Sequence, residues 1–568
     1  MRLLSLTLDG QYKGLRTDTF DFSSSQGRLL AFIGLNGSGK SQLLELIGEA
    51  FSYLERYKRS DFRVRSPLGF GISIVYKINV SNDPDLLSYP DEMVAQADSE
   101  PTLKVSVLTD GQVTVYVLLE DFWQELVLEN RLFPTPYLIG YSSGLNENLQ
   151  RSFMKNAVQF FDVMRVRQNR RKALAGDIDE AGIAQINMRF LNRYPHIFTA
   201  PTEVALDEDG YLSLGESDTA IPKNLFMDYD SCALLMCSFS ILSDDEINNL
   251  LSEVRFKLPQ LIKLKYDLRR GLASSDALRD IRILIRAGGT DCVVGLGGRT
   301  SDQEYDVYEL DYLAGVITLD LSDPEVKERL SSDNYNDPLR LFERLYKLQL
   351  LGVSNWQGDS RKKLRQCDFI ETVKKPLKAK LPLSIERLEL ADKNGLRVNF
   401  DDLSDGEAQL IQILTVARIF RDEQTLFLFD EPETHMNPSW RTYFHKHLTK
   451  ANSVDDVWSD KTQTLLSTHS PFMISSLKKS EVYAFERNEN GLIQMNAVEN
   501  QTYGASFDVL IREHFDLQSL ISQTVVKDIK SHLPQDDSPQ ARKQSREWIA
   551  ENIGESMEKA YLLRKLKD

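Results

Sequence analysis

Short apolar runs separated by turn-forming residues dominate the chain up to residue 141, and this pattern is typical of β-strands. Before residue 40 the predicted strands are Leu3–Leu8, Thr19–Phe22 and Leu29–Ile33. Between residues 70 and 141 they are Phe70–Val80, Leu103–Leu108, Gln112–Leu119 and Pro136–Tyr141. Asn-Asp-Pro and Asp-Gly turns separate the members of the later group, which we expect to form one antiparallel sheet.

Helical spacing of apolar residues is clearest just after residue 42 and again in the middle of the chain. From about residue 150 to 385 the pattern is mainly helical, with two predicted strands at Cys292–Leu296 and Tyr305–Leu321. The segment has no sustained heptads, so it does not predict a coiled coil. Strands return from Leu383, and a final amphipathic helix follows the polar stretch Pro534–Arg546.

These changes of pattern divide the chain into four predicted parts. Residues 1–150 and 386–505 are expected to form two α/β lobes, separated by a mainly helical insert over residues 151–385. Residues 506–568 are expected to form a helical extension. A length of 568 residues is too great for a single core and suits two or three domains.

Composition narrows the class of protein. The 84 acidic and 68 basic residues give a net charge of -16, and 42% of the residues are hydrophobic, which suits a soluble globular protein. The four cysteines are too sparse for a disulfide framework and lack zinc-site spacing, so we expect reduced, buried thiols. The longest apolar run, Cys232–Leu242, is too short to cross a bilayer, and we expect a cytoplasmic protein without membrane contact.

A phosphate-binding loop lies between the predicted strand Leu29–Ile33 and the helix that follows it. The sequence matches G-x-x-x-x-G-K-[ST], and the strand-loop-helix context makes the match specific. Lys40 is predicted to reach the β- and γ-phosphates of ATP, and Ser41 to bind Mg²⁺. The predicted nucleotide-binding residues of this segment are Gly34, Leu35, Asn36, Gly37, Ser38, Gly39, Lys40, Ser41 and Gln42.

Two carboxylates and a histidine follow later apolar runs. Leu426–Phe429 predicts a buried strand that ends in Asp430 and Glu431. Asp430 is the second predicted Mg²⁺ ligand, and Glu431 is predicted to orient or deprotonate the attacking water. A further strand end precedes Thr468-His469-Ser470-Pro471, which resembles the H-switch of ABC-type ATPases. A lone histidine is usually structural, but the resemblance implies that His469, the second predicted catalytic residue, contacts the γ-phosphate.

A short polar segment marks the start of a helix in the second lobe. Ser404 and Glu407 form an S-x-x-E capping box, so Leu403–Glu407 is predicted to be a helix N-terminus, where anions bind. Taken alone, the pentapeptide is equally an ordinary capped helix. Its position 27 residues before Asp430 (430 minus 403) favours a nucleotide-binding role for Leu403, Ser404, Asp405, Gly406 and Glu407.

Together these motifs resemble the ABC-type ATPases of the SMC, Rad50 and RecF branch. Leu403–Glu407 resembles the signature that closes over ATP held by a second subunit, so the resemblance implies a homodimer with ATP and Mg²⁺. This chain differs from the family pattern at two positions. Asn437 stands where the D-loop aspartate is usual, and the Q-loop glutamine is not identified, with Gln150 only a distant candidate.

The segment Asp430–His435 and the helical insert also resemble the PtuA-like ATPases of Septu and retron-associated anti-phage defence. That resemblance implies ATP-dependent control of a separately encoded HNH nuclease. A reverse transcriptase and its single-stranded DNA or RNA are implied in a retron. The chain itself shows no convincing nuclease motif.

Several alternatives remain open on the sequence alone. A RecF-type ATPase would act on DNA in repair or chromosome maintenance, and a scaffold would use ATP only to hold a dimer. The final helix either docks a partner or packs on the chain itself. Two basic clusters either contact a phosphate backbone or form solvated helix faces: Arg165, Arg167, Arg170, Arg171 and Lys172, and Arg361, Lys362, Lys363, Arg365, Lys374, Lys375, Lys378 and Lys380.

Overall fold

The structure of the protein is a computed structural model. It describes residues 1–566 except 82–88, 91–92, 94–99, 129–130, 144–146, 175–177, 199–204, 207–211, 214–218, 270–271, 273, 290–291, 296–312, 372, 374–380, 455–456, 516–520 and 535–537. Residues 1–504 form one compact unit and residues 505–568 a second.

Strands and helices alternate irregularly along the first unit. Its strands are β1 (Arg2–Tyr12), β2 (Leu15–Asp21), β3 (Leu29–Ile33), β4 (Gly71–Lys77), β5 (Thr102–Val107), β6 (Val113–Leu119), β7 (Phe122–Glu125), β8 (Tyr137–Ser142), β9 (Ala205–Leu206), β10 (Leu212–Ser213), β11 (Asn224–Met227), β12 (Leu258–Asp267), β13 (Val293–Gly295), β14 (Ala314–Asp320), β15 (Leu383–Ala391), β16 (Arg397–Asn399), β17 (Thr425–Asp430), β18 (Ser453–Val454), β19 (Val457–Trp458), β20 (Thr462–Ser467), β21 (Val482–Arg487) and β22 (Ile493–Ala497). Its helices are α1 (Lys40–Lys58), α2 (Glu147–Leu174), α3 (Glu180–Arg193), α4 (Tyr229–Phe239), α5 (Asp244–Leu250), α6 (Ser275–Gly288), α7 (Pro324–Ser332), α8 (Pro338–Leu350), α9 (Gly358–Leu364), α10 (Asp405–Phe420), α11 (Pro438–Asn452) and α12 (Pro471–Ile474).

An antiparallel sheet covers one side of α1. Its strand order is β2-β1-β4-β5-β6-β7, and its buried face shares a core with the apolar side of the helix. Phe51 of α1 lies 5.9 Å from Tyr76 of β4, ring centroid to ring centroid. The predicted antiparallel sheet is therefore present, but the prediction that Pro136–Tyr141 belongs to it is wrong. That segment forms β8, which pairs in parallel with β11 and β17. Its four central residues are buried, as expected for a strand of a parallel sheet that is covered on both faces.

The central sheet has the strand order β11-β8-β17-β20-β3-β21-β22. All neighbours pair in parallel except β22, which runs antiparallel to β21 at one edge. Every residue of β3, β17 and β20 is buried, as expected for strands with both faces covered. The carboxyl ends of β3, β8, β17 and β20 consequently meet at one edge of the sheet, where α/β folds bind ligands.

Helices provide most of the regular structure between residues 151 and 385, as predicted, and a second antiparallel sheet accompanies them. Its strand order is β13-β14-β12-β15-β16. The predicted strand pair is confirmed by β13 and β14, although residues 296–312 of its connection lie outside the described part of the chain. Leu258–Asp267 (β12) was missed, and it links the insert to β15 of the second lobe.

A buried ionic network joins α1 to the long helix α2. Glu49 of α1 pairs with Arg151 (Oε1 to Nε, 3.0 Å) and with Lys155 (Oε2 to Nζ, 2.7 Å), and all three side chains are at most 1% exposed. Burial opposes the charge of Glu49, but Lys155 and Arg151 outweigh it and hold its pKa below the usual value. Two backbone carbonyls extend the network, because Arg151 donates to Ile370 and Lys155 to Cys367.

The described residues of the second unit form four helices: α13 (Phe507–His514), α14 (Gln523–His532), α15 (Pro539–Asn552) and α16 (Met557–Lys565). The prediction of one final helix is wrong, because α15 ends at Asn552 and α16 begins at Met557. Ile529, Ile549 and Ile553 form the core of this unit. The predicted apolar face is therefore occupied within the unit itself.

Two further expectations can be compared with the structure. Cys232, Cys237, Cys292 and Cys367 are free and buried, as predicted. Among the described helices, none combines the length and the apolar character that crossing a bilayer requires.

Candidate functional site

The phosphate-binding loop connects β3 to α1 at the carboxyl edge of the central sheet. Gly34 has φ +138°, and a Cβ atom there would lie 2.3 Å from the carbonyl oxygen of Phe485, so a side chain cannot be accommodated. The loop rises from the buried strand end to the exposed residues Leu35, Asn36 and Gly37, then returns to Ser38 and Gly39, which are buried. Gln42 accepts a hydrogen bond from the backbone N–H of Gly14 at 2.9 Å, which ties the loop end to the β1–β2 turn.

Lys40 begins α1 and turns its ammonium back towards the loop. Nζ donates to the carbonyl oxygens of Gly34 at 2.9 Å and Leu35 at 3.2 Å. Burial lowers the pKa of Lys40 to about 8, although the carboxylates of Glu431 and Asp430 oppose that shift. The ammonium is therefore close to the carboxylates at the end of β17.

Ser41 and Asp430, the two predicted Mg²⁺ ligands, are adjacent. Ser41 Oγ donates to Asp430 Oδ1 at 2.8 Å, and the hydroxyl of Ser467 donates to the same oxygen. The register of the parallel strands explains the hydrogen bond from Ser467, because Asp430 on β17 is directly opposite Ser467 on β20. A hydroxyl and a carboxylate held together at a strand end form the hard oxygen donor set that Mg²⁺ prefers.

Glu431 follows Asp430 in a backbone conformation that is rare for a residue with a side chain. Its φ is +52°, in the left-handed region, and its backbone N–H donates to the carbonyl oxygen of Ser467 at 3.1 Å. Strained conformations of this kind cost about 1–3 kcal/mol and cluster at functional sites. The strain directs the half-exposed Glu431 carboxylate towards His469, with Oε1 3.3 Å from Nε2.

His469 lies between the phosphate-binding lysine and the glutamate. Its Nε2 is 3.1 Å from Lys40 Nζ as well as 3.3 Å from Glu431 Oε1. An ammonium can only donate, so a neutral His469 accepts from Lys40 through Nε2. When Nε2 instead carries a proton it donates to Glu431, and that hydrogen bond is the main cause of the lowered pKa of Glu431. The three predicted residues thus form one contiguous polar chain.

Glu433 was missed by the sequence reasoning, although it supports the histidine. Its carboxyl group is 4% exposed and accepts hydrogen bonds from the hydroxyl of Thr468 and the backbone N–H of His469. Oε2 has no hydrogen-bond partner among the described residues. Burial raises the pKa of Glu433 to about 7. The position of His469 therefore depends on a buried carboxyl group three residues after Asp430.

We expect Glu433→Gln to remove part of the pH dependence of stability. The folded-state pKa of Glu433 is raised from 4.5 to about 7, so between these values the folded state binds more protons and wild-type stability falls as pH rises. From pH 6 to pH 8 the wild type should lose about 1 kcal/mol more than the variant. Urea unfolding of both proteins at the two pH values measures the difference, and parallel losses would contradict the assigned burial.

The signature segment lies at the N-terminus of α10. Ser404 caps the helix, and the predicted capping box with Glu407 is present. Ser404 and Asp405 are exposed, Leu403 and Glu407 are partly exposed, and Gly406 is buried. A Cβ atom on Gly406 would lie 2.7 Å from the carbonyl oxygen of His435, so the glycine allows close packing against the segment after Glu431. Among the described hydrogen bonds, none joins Leu403–Glu407 to Gly34–Ser41.

The two positions that differ from the family pattern have local structural roles. Asn437 caps α11, accepting a hydrogen bond from the backbone N–H of Trp440 at 2.9 Å. Gln150 is buried in α2 and lines a cavity with Phe153 and Tyr346. At the end of β8, Ser143 instead donates from its backbone N–H to the carbonyl oxygen of Asp430 at 3.1 Å.

Arg487 contacts the phosphate-binding loop and was also missed. Its Nε donates to the carbonyl oxygen of Gly37 at 3.0 Å, and Nη1 donates to that of Gly491 at 2.7 Å. No local pattern marks this arginine, because the contact spans 450 residues of sequence. Ser467 and Thr468 could have been found, since they follow the same buried strand as His469.

Two comparisons with known sequences match parts of the chain. A family model described as "AAA domain, putative AbiEii toxin, Type IV TA system" matches residues 296–475, which include Leu403–Glu407, Asp430 and His469 but not the phosphate-binding loop. Protein ea59 of Escherichia phage lambda is 30% identical over 132 residues, or 22% of this chain. That match spans only 24% of the length of ea59.

Two solved structures align with most of the chain at low similarity. The SMC head domain from Thermotoga maritima is 12% identical, with a TM-score of 0.28 over 88% of this chain and 100% of that one. The recombination mediator protein RecF is 12% identical, with a TM-score of 0.31 over 87% and 97% of the two chains. The fold is therefore assigned from its own features: the mostly parallel central sheet, the glycine-rich loop after β3 and the carboxylates after β17 make it an α/β fold of the P-loop type.

Proposed function

We propose that this chain is an ABC-type ATP hydrolase that dimerises around ATP and controls a separate effector. The main support is the meeting of Lys40, Ser41, Asp430, Glu431 and His469 at one edge of the central sheet. These five side chains come from three strand ends that are far apart in sequence. Their arrangement suits phosphoryl transfer to water, where positioning and electrostatic stabilisation supply most of the catalysis.

Each residue has a distinct part in the proposed reaction. Lys40 leaves the loop carbonyls to bind the β- and γ-phosphates, and Ser41 and Asp430 would hold Mg²⁺, which would neutralise charge on the phosphate oxygens. Glu431, kept ionised by its lowered pKa, orients the attacking water and accepts its proton. His469 is then released from Lys40, so that it can donate from Nε2 towards the γ-phosphate or to Glu431.

The proposal requires a second copy of the chain, because the signature is exposed and no described hydrogen bond joins it to the loop of its own subunit. The N-terminus of α10 presents Ser404 and Asp405 to solvent, and a helix N-terminus attracts anions. One chain supplies one loop and one signature. A two-fold dimer therefore completes two composite sites with the same contacts.

Ser404→Arg is expected to prevent ATP-dependent dimerisation while ATP binding remains. The large cation occupies the exposed N-terminus of α10, whereas the phosphate-binding loop is unchanged. Ser243→Arg is the matched control, because Ser243 also caps a helix through its hydroxyl. Light scattering with ATP and Mg²⁺ should give dimer for the control and at least about tenfold weaker dimerisation for Ser404→Arg. Equal dimerisation of the two variants would contradict the proposed interface.

We propose that the effector is an HNH-type nuclease in anti-phage defence, with a reverse transcriptase and its nucleic acid in a retron context. The support is the resemblance of Asp430–His435 and the insert to PtuA-like ATPases. The family model that matches residues 296–475 is described as a putative toxin of a type IV toxin–antitoxin system, which supports a place for this chain in such a system.

Purification of the native complex tests this partner. A nuclease should co-purify with the tagged chain, and Lys40→Ala should change its nucleotide dependence. Defence against phage by the chain alone, without a second protein, would contradict the proposal.

A further inference from the structure

The two basic clusters of the sequence have different surroundings from those expected. Arg167, Arg170 and Arg171 are buried, and Arg170 donates to the side chain of Asn187 at 2.7 Å. The prediction of an open or solvated basic helix at residues 165–172 is therefore wrong for these three arginines. In the second cluster, the lysines at 374, 375, 378 and 380 lie outside the described residues. Of the other described members of the two clusters, Arg165 and Arg365 line a concave surface with residues that the sequence did not single out.

This surface, the basic groove, consists of two cavities of about 910 and 300 Å³ that share Arg63, Arg65 and His196. One cavity extends towards the end of α1 and Arg131, and the other towards α2 and Arg365. The charged residues that line it are Lys58, Arg59, Asp61, Arg63, Arg65, Arg131, Asp162, Arg165 and Arg365. Seven of these residues are cations and two are carboxylates, so the formal charge of the groove is +5 (7 minus 2), whereas the net charge of the whole chain is -16.

The two carboxylates already have partners in the groove. Asp61 pairs with Arg59 at 2.7 Å, and Asp162 pairs with Arg365 at 2.6 Å. Arg65 is exposed and makes no ion pair with any described residue. The remaining positive potential is therefore available to an anion from outside the chain.

Arg63 donates a hydrogen bond to a neutral histidine, His196. Its Nη2 lies 3.0 Å from His196 Nδ1, and a guanidinium can only donate, so His196 accepts. Burial and the charge of Arg63 lower the pKa of His196, which agrees with the neutral form. Arg63 itself is exposed, so its other N–H groups face the groove.

Aromatic side chains alternate with these cations. Tyr57 lies under the guanidinium of Arg131 at 5.0 Å, and Tyr194 lines the second cavity. Both rings are partly exposed. Rings beside arginines suit unpaired bases, which stack on aromatic and guanidinium planes, whereas a duplex hides its base faces.

We propose that the basic groove binds single-stranded nucleic acid, with Arg63 and Arg65 on the phosphates and Tyr57 beside the bases. This site is distinct from the nucleotide site. The 19 residues of α1 separate Lys40 from Lys58, a distance of about 27 Å at 1.5 Å per residue. The proposal stands whether or not the effector is a nuclease.

Fluorescence anisotropy with a labelled oligothymidylate tests the groove over a range of salt concentrations. Arg63→Gln/Arg65→Gln should bind at least about tenfold more weakly, and the slope of log affinity against log salt should fall by about 1.4, at about 0.7 for each phosphate contact on a single strand. The matched control, Arg387→Gln/Lys393→Gln, removes two charges outside the groove and should bind as the wild type does. A duplex of equal length should bind at least about tenfold more weakly than the single strand.

Three results would overturn the proposal. The first is equal binding by the wild type and the groove variant. The second is equal affinity for single strand and duplex, which would indicate phosphate recognition without bases. The third is equally strong competition by polyglutamate, which would indicate an acidic protein partner. ATP turnover of the groove variant should match that of the wild type, so a failure of the proposed ATPase would be seen separately.

Discussion

Replacing Glu431 with glutamine is expected to lower the rate of ATP hydrolysis by about 10²–10⁴-fold, the usual contribution of a positioned general base. The isosteric amide keeps the size of the side chain but cannot accept the proton of the attacking water. Lys40, Ser41 and Asp430 remain in place, so ATP and Mg²⁺ should still bind. The variant should therefore accumulate as an ATP-bound dimer. Single-turnover hydrolysis and light scattering measure the two effects.

The matched control is Glu486→Gln, an exposed glutamate on β21 near the same edge of the sheet. It should hydrolyse ATP at the wild-type rate. Lys40→Ala should fail earlier, because it loses nucleotide binding and so cannot form the trapped dimer. Wild-type turnover by Glu431→Gln would rule out the assigned base, whereas loss of both binding and turnover would point to disruption of the fold.

Local sequence predicted the parts of the site that depend on consecutive residues. The glycine-rich loop needs a strand before it and a helix after it, and both signals lie within residues 29–54. The capping box at Ser404 is equally local, since its two members are three residues apart. The sequence also predicted Asp430 and Glu431 at a strand end, because a wholly apolar run precedes them.

The sequence could not predict the contacts in the fold and the site that join segments far apart in the chain. The sequence placed β8 in the antiparallel sheet, but β8 pairs with β17 in the central sheet. An apolar run indicates a buried strand, but it does not specify which strands lie beside it. Arg487 touches Gly37 only because β21 lies beside β3. In the sequence, nothing distinguishes Glu433 from an exposed acidic residue. Its supporting role depends on its burial beside Thr468, which only the packing of the fold shows.

The strained backbone at Glu431 links the fold to the proposed chemistry. Its backbone N–H is fixed by Ser467 on the neighbouring strand, so the left-handed conformation is imposed by the sheet and not by the residue itself. The same serine donates to Asp430. One residue of β20 therefore positions both carboxylates, and the next two residues, Thr468 and His469, complete the site.

Glu49→Ala is expected to lower the free energy of unfolding by about 3–5 kcal/mol, the usual cost of removing one partner of a buried ion pair. The change leaves Lys155 charged and buried between α1 and α2 without the carboxylate that it pairs with. Arg151 keeps only its longer contact with Glu45, 3.7 Å from Nη2 to Oε2. Replacing all three residues with methionine should recover part of that loss, because the three charges are then removed together, while Glu45 keeps its ion pair with Lys13. Urea unfolding of the variants measures these differences.

Glu325→Ala supplies the comparison, because Glu325 pairs with Arg329 while its own side chain is 79% exposed. Its loss should cost no more than about 0.5 kcal/mol, as is usual for an exposed pair. Similar losses for Glu49→Ala and Glu325→Ala would mean that water reaches the α1–α2 interface. The expected difference follows from burial alone: both substitutions remove a glutamate from an ion pair, but only Glu49→Ala leaves its partners without water. The helix that begins with Lys40 is joined to the insert through the buried contacts of Glu49 with Arg151 and Lys155.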